Sequence, residues 1–195
     1  MSYIVLCEKC GKFRDQNNEP VCECCMPSLL LAIDPGTTES AWALYDGTLR
    51  SFGKGTNEKV LEMVSDASGK VKRLVVEKIM SYGQAVGQEV FETVYWTGRF
   101  VQAWHPRPFT RIPRMEVKMH LCHSPRANDS NIRQAIIDLY GGKEVAVGKK
   151  ATPGPLHGVA GDVWAALGLA ITAYNQGVTG HDKHDPSRHG RQAGR

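Results

Sequence analysis

Two carboxylates in this chain stand in the same sequence context. Asp34 follows the apolar run Leu29-Leu30-Leu31-Ala32-Ile33, and Glu77 follows Leu74-Val75-Val76. Short apolar runs bounded by turn residues suit buried central strands. Each acid is therefore expected at the C-terminal end of such a strand, where α/β sheets place their ligand sites. Parallel neighbouring strands lie about 4.8 Å apart, close enough for two acids on that rim to share a divalent ion. Asp162 opens the last apolar helix after a Gly/Pro-rich loop and can bring a third carboxylate over the same edge. Three convergent acids repel one another unless a cation neutralises them, and oxygen-only ligands favour Mg²⁺ or Mn²⁺ over zinc. Each acid also has an ordinary alternative. Asp34 before Pro35-Gly36 can be a turn former, Glu77 a solvated residue and Asp162 a helix cap.

A second group of residues suits a different metal. Cys7 and Cys10 form one Cys-x-x-Cys pair and Cys22 and Cys25 another, eleven residues apart. Four thiolates from two such knuckles match a structural, tetrahedral zinc site, with Cys24 as an alternative to Cys25. Charge is also localised. The chain carries +4 overall, yet the stretch from Arg99 to Arg133 holds seven basic residues against Glu116 and Asp129. With Trp104, Phe109 and three histidines among them, Arg107, Arg111, Arg114, Lys118 and Arg126 suit a polyanion such as nucleic acid.

These groups require elements to hold them. Leu29–Ile33, Ala41–Tyr45 and Thr48–Phe52 read as an antiparallel meander, with Asp46-Gly47 as its tight turn. A helix is expected from Asn57 to Ala67 and a strand over Leu74–Val76. A long helix from Gln84 to Trp104 would present Val86, Val90, Val94, Gly98 and Val101. Phe109–Ile112 reads as a strand, Pro113 begins a helix to Leu121, and Asn131–Tyr140 forms another. The segment Val163–Tyr174 is apolar almost all round, as expected of a helix buried against a sheet. The result is a mixed α/β domain with one sheet.

The 195 residues suffice for one full core with a small appendage. No apolar run approaches the roughly 20 residues that span a bilayer, and the N-terminus has no secretory pattern. A cytoplasmic protein is expected. Its divisions are a zinc knuckle at 1–27, a main domain at 28–177 and a polar, disordered tail at 178–195.

The segments Leu30-Leu-Ala-Ile-Asp34-Pro-Gly-Thr-Thr, Leu74-Val-Val-Glu77 and Gly161-Asp162-Val-Trp-Ala-Ala-Leu resemble the RuvC family of Holliday-junction resolvases, its bacteriophage-encoded branch above all. Met115-Glu-Val-Lys118 and the stretch 128–140 add to the resemblance, which runs from about Leu29 to Tyr174. It implies an RNase H-like, five-stranded sheet flanked by helices, a homodimer, and metal-dependent paired nicking of four-way junctions and other branched DNA. It also implies Asp34, Glu77 and Asp162 as metal ligands and Lys118 near the scissile phosphate. Two Mg²⁺ or Mn²⁺ ions about 4 Å apart would serve in-line hydrolysis, leaving 5′ phosphate and 3′ hydroxyl ends. The family's usual ligand one turn before the last acid is here Val159, so His157 is the expected fourth ligand, with Asp129 as alternative. Tyr82, just after Glu77, is placed to stack on bases at the crossover. The competing reading is a non-catalytic, zinc-containing DNA-binding module. A kinase reading of Asp-x-Gly-Thr-Thr would need a second such domain, for which 195 residues leave no room.

Overall fold

The computed structural model describes residues 4–6, 13–15, 29–69, 71–81, 83 and 85–177. Two short strands, β1 (Ile4–Leu6) and β2 (Phe13–Asp15), pair antiparallel near the N-terminus. Cys7, Cys10, Cys22, Cys24 and Cys25, and with them the expected zinc knuckle, lie outside the described residues, as do Tyr82 and the 178–195 tail.

The apolar run before Asp34 forms β3 (Leu30–Asp34), in which Leu30, Leu31, Ala32 and Ile33 are all buried. It is the central strand of a five-stranded sheet. The meander continues with β4 (Glu39–Tyr45) and β5 (Leu49–Thr56), both antiparallel to their predecessors. Asp46 fixes the turn between them, its carboxylate accepting from the Thr48 backbone N–H and from Arg50, and Gly47 takes a φ of 106° there. Helix α1 (Asn57–Asp66) then leads to β6 (Arg73–Lys78), parallel to β3 on its other side. Helix α2 (Gln88–Trp104) crosses to β7 (Phe109–Pro113), which is parallel to β6. The spatial order is β5-β4-β3-β6-β7.

Strand alternation divides the core. Leu31, Ile33, Leu74 and Val76 face α1 and α2, packing on Val60, Val64, Trp96, Phe100 and Trp104. Leu30, Ala32, Val75, Ala41 and Ala43 face the opposite layer. That layer holds α3 (Arg114–Cys122), α4 (Asp129–Leu139) and α6 (Val163–Asn175), with α5 (Lys143–Ala146) and a small hairpin of β8 (Gly148–Lys149) and β9 (Thr152–Pro153) between α4 and α6. Every residue of α6 from Val163 to Ala173 is buried, which accounts for its apolar sequence. Among the described residues no helix is long and apolar enough to cross a membrane.

Several expectations shift. Strand β5 runs on to Thr56 beyond the expected Phe52, and α2 begins at Gln88 instead of Gln84. Helix α4 begins at Asp129 because Asn128 caps it: its side chain accepts from the Asn131 N–H, and Asn131 reciprocates to the Asn128 N–H. Along α2 the valine stripe is not the core face. Trp96, Thr97, Phe100 and Trp104 are buried, whereas Val94 is 48% exposed. A strict four-residue spacing drifts by about 40° per step on a 3.6-residue helix, and the aromatic side chains bury far more apolar area than valines.

Candidate active site

The pairing of β3 with β6 sets the site. Ile33 is the partner of Val76, so Asp34 and Glu77 occupy the next position on adjacent parallel strands. Both follow the alternation of the α6-facing core, and both stand at the C-terminal end of their strands. Asp162 reaches the same rim from above. Gly161, at φ 52°, turns the chain into α6, and Asp162 makes no side-chain capping bond to its own helix. Asp34, Glu77 and Asp162 thus line one cleft of about 380 Å³. Asp129, the first residue of α4, and Arg114, the first of α3, line it too, with Ile132 and Trp164 as an apolar wall.

The charges are unevenly compensated. Arg114 lies 3.6 Å from Glu77 and also pairs with Asp129. Lys54, on β5, holds Asp162 at 2.9 Å and Glu39 at 3.3 Å. Among the described residues no basic side chain pairs with Asp34. Burial, then the charge and hydrogen bond of Glu77, push its carboxyl up from 3.8 to about 8, against the opposing pull of Arg114. Asp34 therefore keeps its proton well above the usual carboxylate range in the absence of another cation. Among the described residues no three His, Cys, Asp or Glu side chains close into a ready-made cage, because Glu77, Asp129 and Asp162 are turned towards Arg114 and Lys54. The donors are all carboxylates, their charge is incompletely neutralised, and Asp162 is 59% exposed. This set fits a hard divalent cation.

The loop after Asp34 is fixed by a buried network that has no motif in the sequence. The Gly36 N–H donates to Ser40 Oγ at 3.2 Å, Ser40 Oγ donates to Asn57 Oδ1 at 2.6 Å, and Asn57 Nδ2 returns to the Gly36 carbonyl at 3.1 Å. A Cβ on Gly36 would stand 2.2 Å from the Glu39 carbonyl oxygen, so only glycine fits.

The remaining sequence candidates are scattered. His157 does not line the cleft; it is exposed, with Nδ1 3.2 Å from the Val147 carbonyl, and Asp129 occupies the cleft instead. Lys118 lies one turn beyond Arg114 on α3, outside the lining. The basic stretch is not one surface. Arg107 stacks on Trp104 at 3.6 Å. Arg111 pairs in register with Val76, so it points to the α2 side of the sheet, away from the cleft. Arg114 is inside the cleft, and Arg126 is exposed in the loop between α3 and α4. Sequence proximity groups these residues, but they fall on different elements: Arg107 follows α2, Arg111 lies on β7, Arg114 and Lys118 on α3, and Arg126 in the loop beyond. Lys54 escaped sequence reading, although the meander register (Asp34 opposite Ala41, Ala41 opposite Lys54) places it on the rung of Asp34.

No family model matches the chain, and no curated protein matches it. Solved structures do. The chain is similar to the RuvC of Thermus thermophilus, with 18% identity and a TM-score of 0.55 over 76% of this chain and 95% of that one. It is likewise similar to T. thermophilus RuvC in complex with a Holliday junction substrate, with 16% identity and a TM-score of 0.57 over 76% of this chain and 94% of that one. The fold is thus RuvC-like, a mixed five-stranded sheet flanked by helices. The bacteriophage branch finds no support in these neighbours.

Proposed function

We propose that this chain is a metal-dependent, structure-selective DNA endonuclease that resolves four-way junctions and related branched DNA. The observation that carries this reading is the convergence of Asp34, Glu77, Asp129 and Asp162 on one cleft at the C-terminal rim of β3 and β6. A RuvC-like fold supports it, as does a similar structure that holds a Holliday junction.

Asp34, Glu77 and Asp162 hold Mg²⁺ or Mn²⁺, and Asp129, which shares their cleft, takes the fourth position that the sequence had offered to His157. Bound there, divalent ions supply Lewis acidity to phosphodiester hydrolysis. The chain does the rest. The Gly36–Ser40–Asn57 network keeps the Asp34 backbone in place, so the acid pair is set before substrate arrives. The wall of Ile132 and Trp164 limits water on one side of the cleft. Arg114 orients Glu77 and Asp129, and its side chain is a phosphate contact within reach of the reacting strand. Lys118 and Arg126 hold phosphates further along, a sequence-independent contribution that makes binding salt-sensitive. The thiolates of Cys7, Cys10, Cys22 and Cys25 bind one structural zinc.

Two active sites on a twofold dimer account for paired nicks. Helix α2 offers the surface: Phe91, Val94 and Tyr95 are 63%, 48% and 57% exposed on a helix whose other face is core.

Cleavage of four-way, forked and linear DNA, assayed with Mg²⁺ and with Mn²⁺, tests the reading. Wild-type protein is expected to nick the four-way junction and spare the linear duplex. Asp34→Asn should retain junction binding while losing at least about 100-fold in rate, the scale on which removing one preorganised charge-stabilising group slows an enzyme. A wild-type protein that binds junctions but nicks none would establish the non-catalytic DNA-binding module instead.

A further inference from the structure

Lys54 stands apart from every basic residue considered above. The β3–β4–β5 register sets Asp34, Ala41 and Lys54 on one rung, with side chains on the same face of the sheet. Lys54 therefore projects onto the rim of the cleft about two strand spacings, roughly 10 Å, from Asp34. Arg114 enters from the opposite side, from β7 and α3. Lys54 bridges two carboxylates, Asp162 at 2.9 Å and Glu39 at 3.3 Å, yet remains 41% exposed. An ion pair so exposed contributes little to the fold, so stability does not explain why an ammonium sits on an acid of the cleft.

We propose that Lys54 is a phosphate-positioning residue released by metal binding. In the metal-free chain its ammonium occupies Asp162. When Asp162 turns to a divalent ion, Lys54 loses that partner and is repelled by the new positive charge. It remains tethered at the rim by Glu39 and by its place on β5, where its nearest available anion is a phosphate of a DNA strand crossing the cleft. The acids are thereby kept apart and partly neutralised until metal arrives, and phosphate binding on the β5 rim is coupled to metal occupancy. This rests on the metal-dependent nuclease reading, in which Asp162 is a metal ligand.

The test compares wild type, Lys54→Met and Asp34→Asn in two measurements that need no turnover. In the first, Mn²⁺ binding to DNA-free protein is followed by calorimetry. Lys54→Met removes the competitor and should bind Mn²⁺ about two- to five-fold more tightly, the range expected of an exposed ion pair. Loss of a merely structural residue would leave affinity unchanged or lower it. In the second, junction binding is titrated against NaCl, in EDTA and in non-cleaving Ca²⁺. With Ca²⁺ the salt slope of Lys54→Met should be smaller than that of wild type by about 0.9, one phosphate contact; in EDTA the two slopes should coincide. Equal slopes in Ca²⁺, or a slope difference already present in EDTA, overturn the proposal, as does Mn²⁺ affinity that does not rise. If wild type shows no Mn²⁺ binding that Asp34→Asn abolishes, the metal reading itself falls, and the role of Lys54 with it.

Discussion

Asp34 carries the sharpest energetic signature at the residue scale. Its carboxyl is raised from 3.8 to about 8 by burial and by Glu77. The folded, metal-free chain therefore binds a proton that the unfolded chain releases near pH 4. The stability this proton confers is fully present below about pH 4 and is lost as pH rises towards 8. Thermal melting in EDTA is expected to show Tm falling by several degrees between pH 5 and pH 8.5. Asp34→Asn, which removes the ionisation, should flatten that profile and melt above wild type at pH 8.5. A wild-type Tm that is level across this range would show that Asp34 is not pushed up. The residue types and context of Asp34, Glu77 and Asp162 were legible because an acid ending an apolar strand is a local pattern. Asp129 and Lys54 were much less so. Asp129 reaches the cleft only because α3 and α4 fold over the sheet, and Lys54 only because β5 pairs in one register.

Elements succeed or fail here by how closely they pack. Helix α6 is covered on its outer side by α3 and α4, and Gly168 sits where they meet. A Cβ there would stand 3.3 Å from both Ile132 and Val117 and 3.4 Å from Leu121. Gly168→Val adds γ-methyl groups where no room exists, and is expected to cost about 1–3 kcal/mol, read as a lower urea midpoint at unchanged slope. Because α3 carries Arg114 and α4 carries Asp129, the same change should weaken Mn²⁺ binding. An unaltered midpoint would mean that the helix layer yields. The continuous apolar sequence of α6 announced its burial, whereas the core face of α2 was misread, since valine spacing is a weaker guide than the demand of Trp96, Phe100 and Trp104 for buried area.

At the scale of the whole molecule the proposed dimer turns on the open surface of α2. Phe91, Val94 and Tyr95 lie exposed there, on the side of the sheet opposite the cleft-bearing helices. A twofold dimer through this face would leave both clefts free for DNA. The double variant Phe91→Glu, Tyr95→Glu is expected to sediment as a monomer where wild type sediments as a dimer. It should also convert cruciform plasmid mainly to the singly nicked form, with the linear product of paired cuts reduced at least about ten-fold, as the second cut ceases to be intramolecular. A dimeric double variant would place the interface elsewhere.

The sequence by itself determined the class of fold, the identity of the acids at the strand ends and the buried last helix. All three are written in short-range patterns: apolar runs, alternation and turn residues a few positions apart. Only the tertiary structure decided which charges meet. The register of β5 brings Lys54 to Asp162, the packing of α3 and α4 brings Arg114 and Asp129 to Glu77, and the alternation of β7 together with the turn into α3 parts Arg111 from Arg114. Side chains far apart along the chain become neighbours through strand pairing and layer packing, and neighbours along the chain are sent to opposite faces by the alternation of the strand.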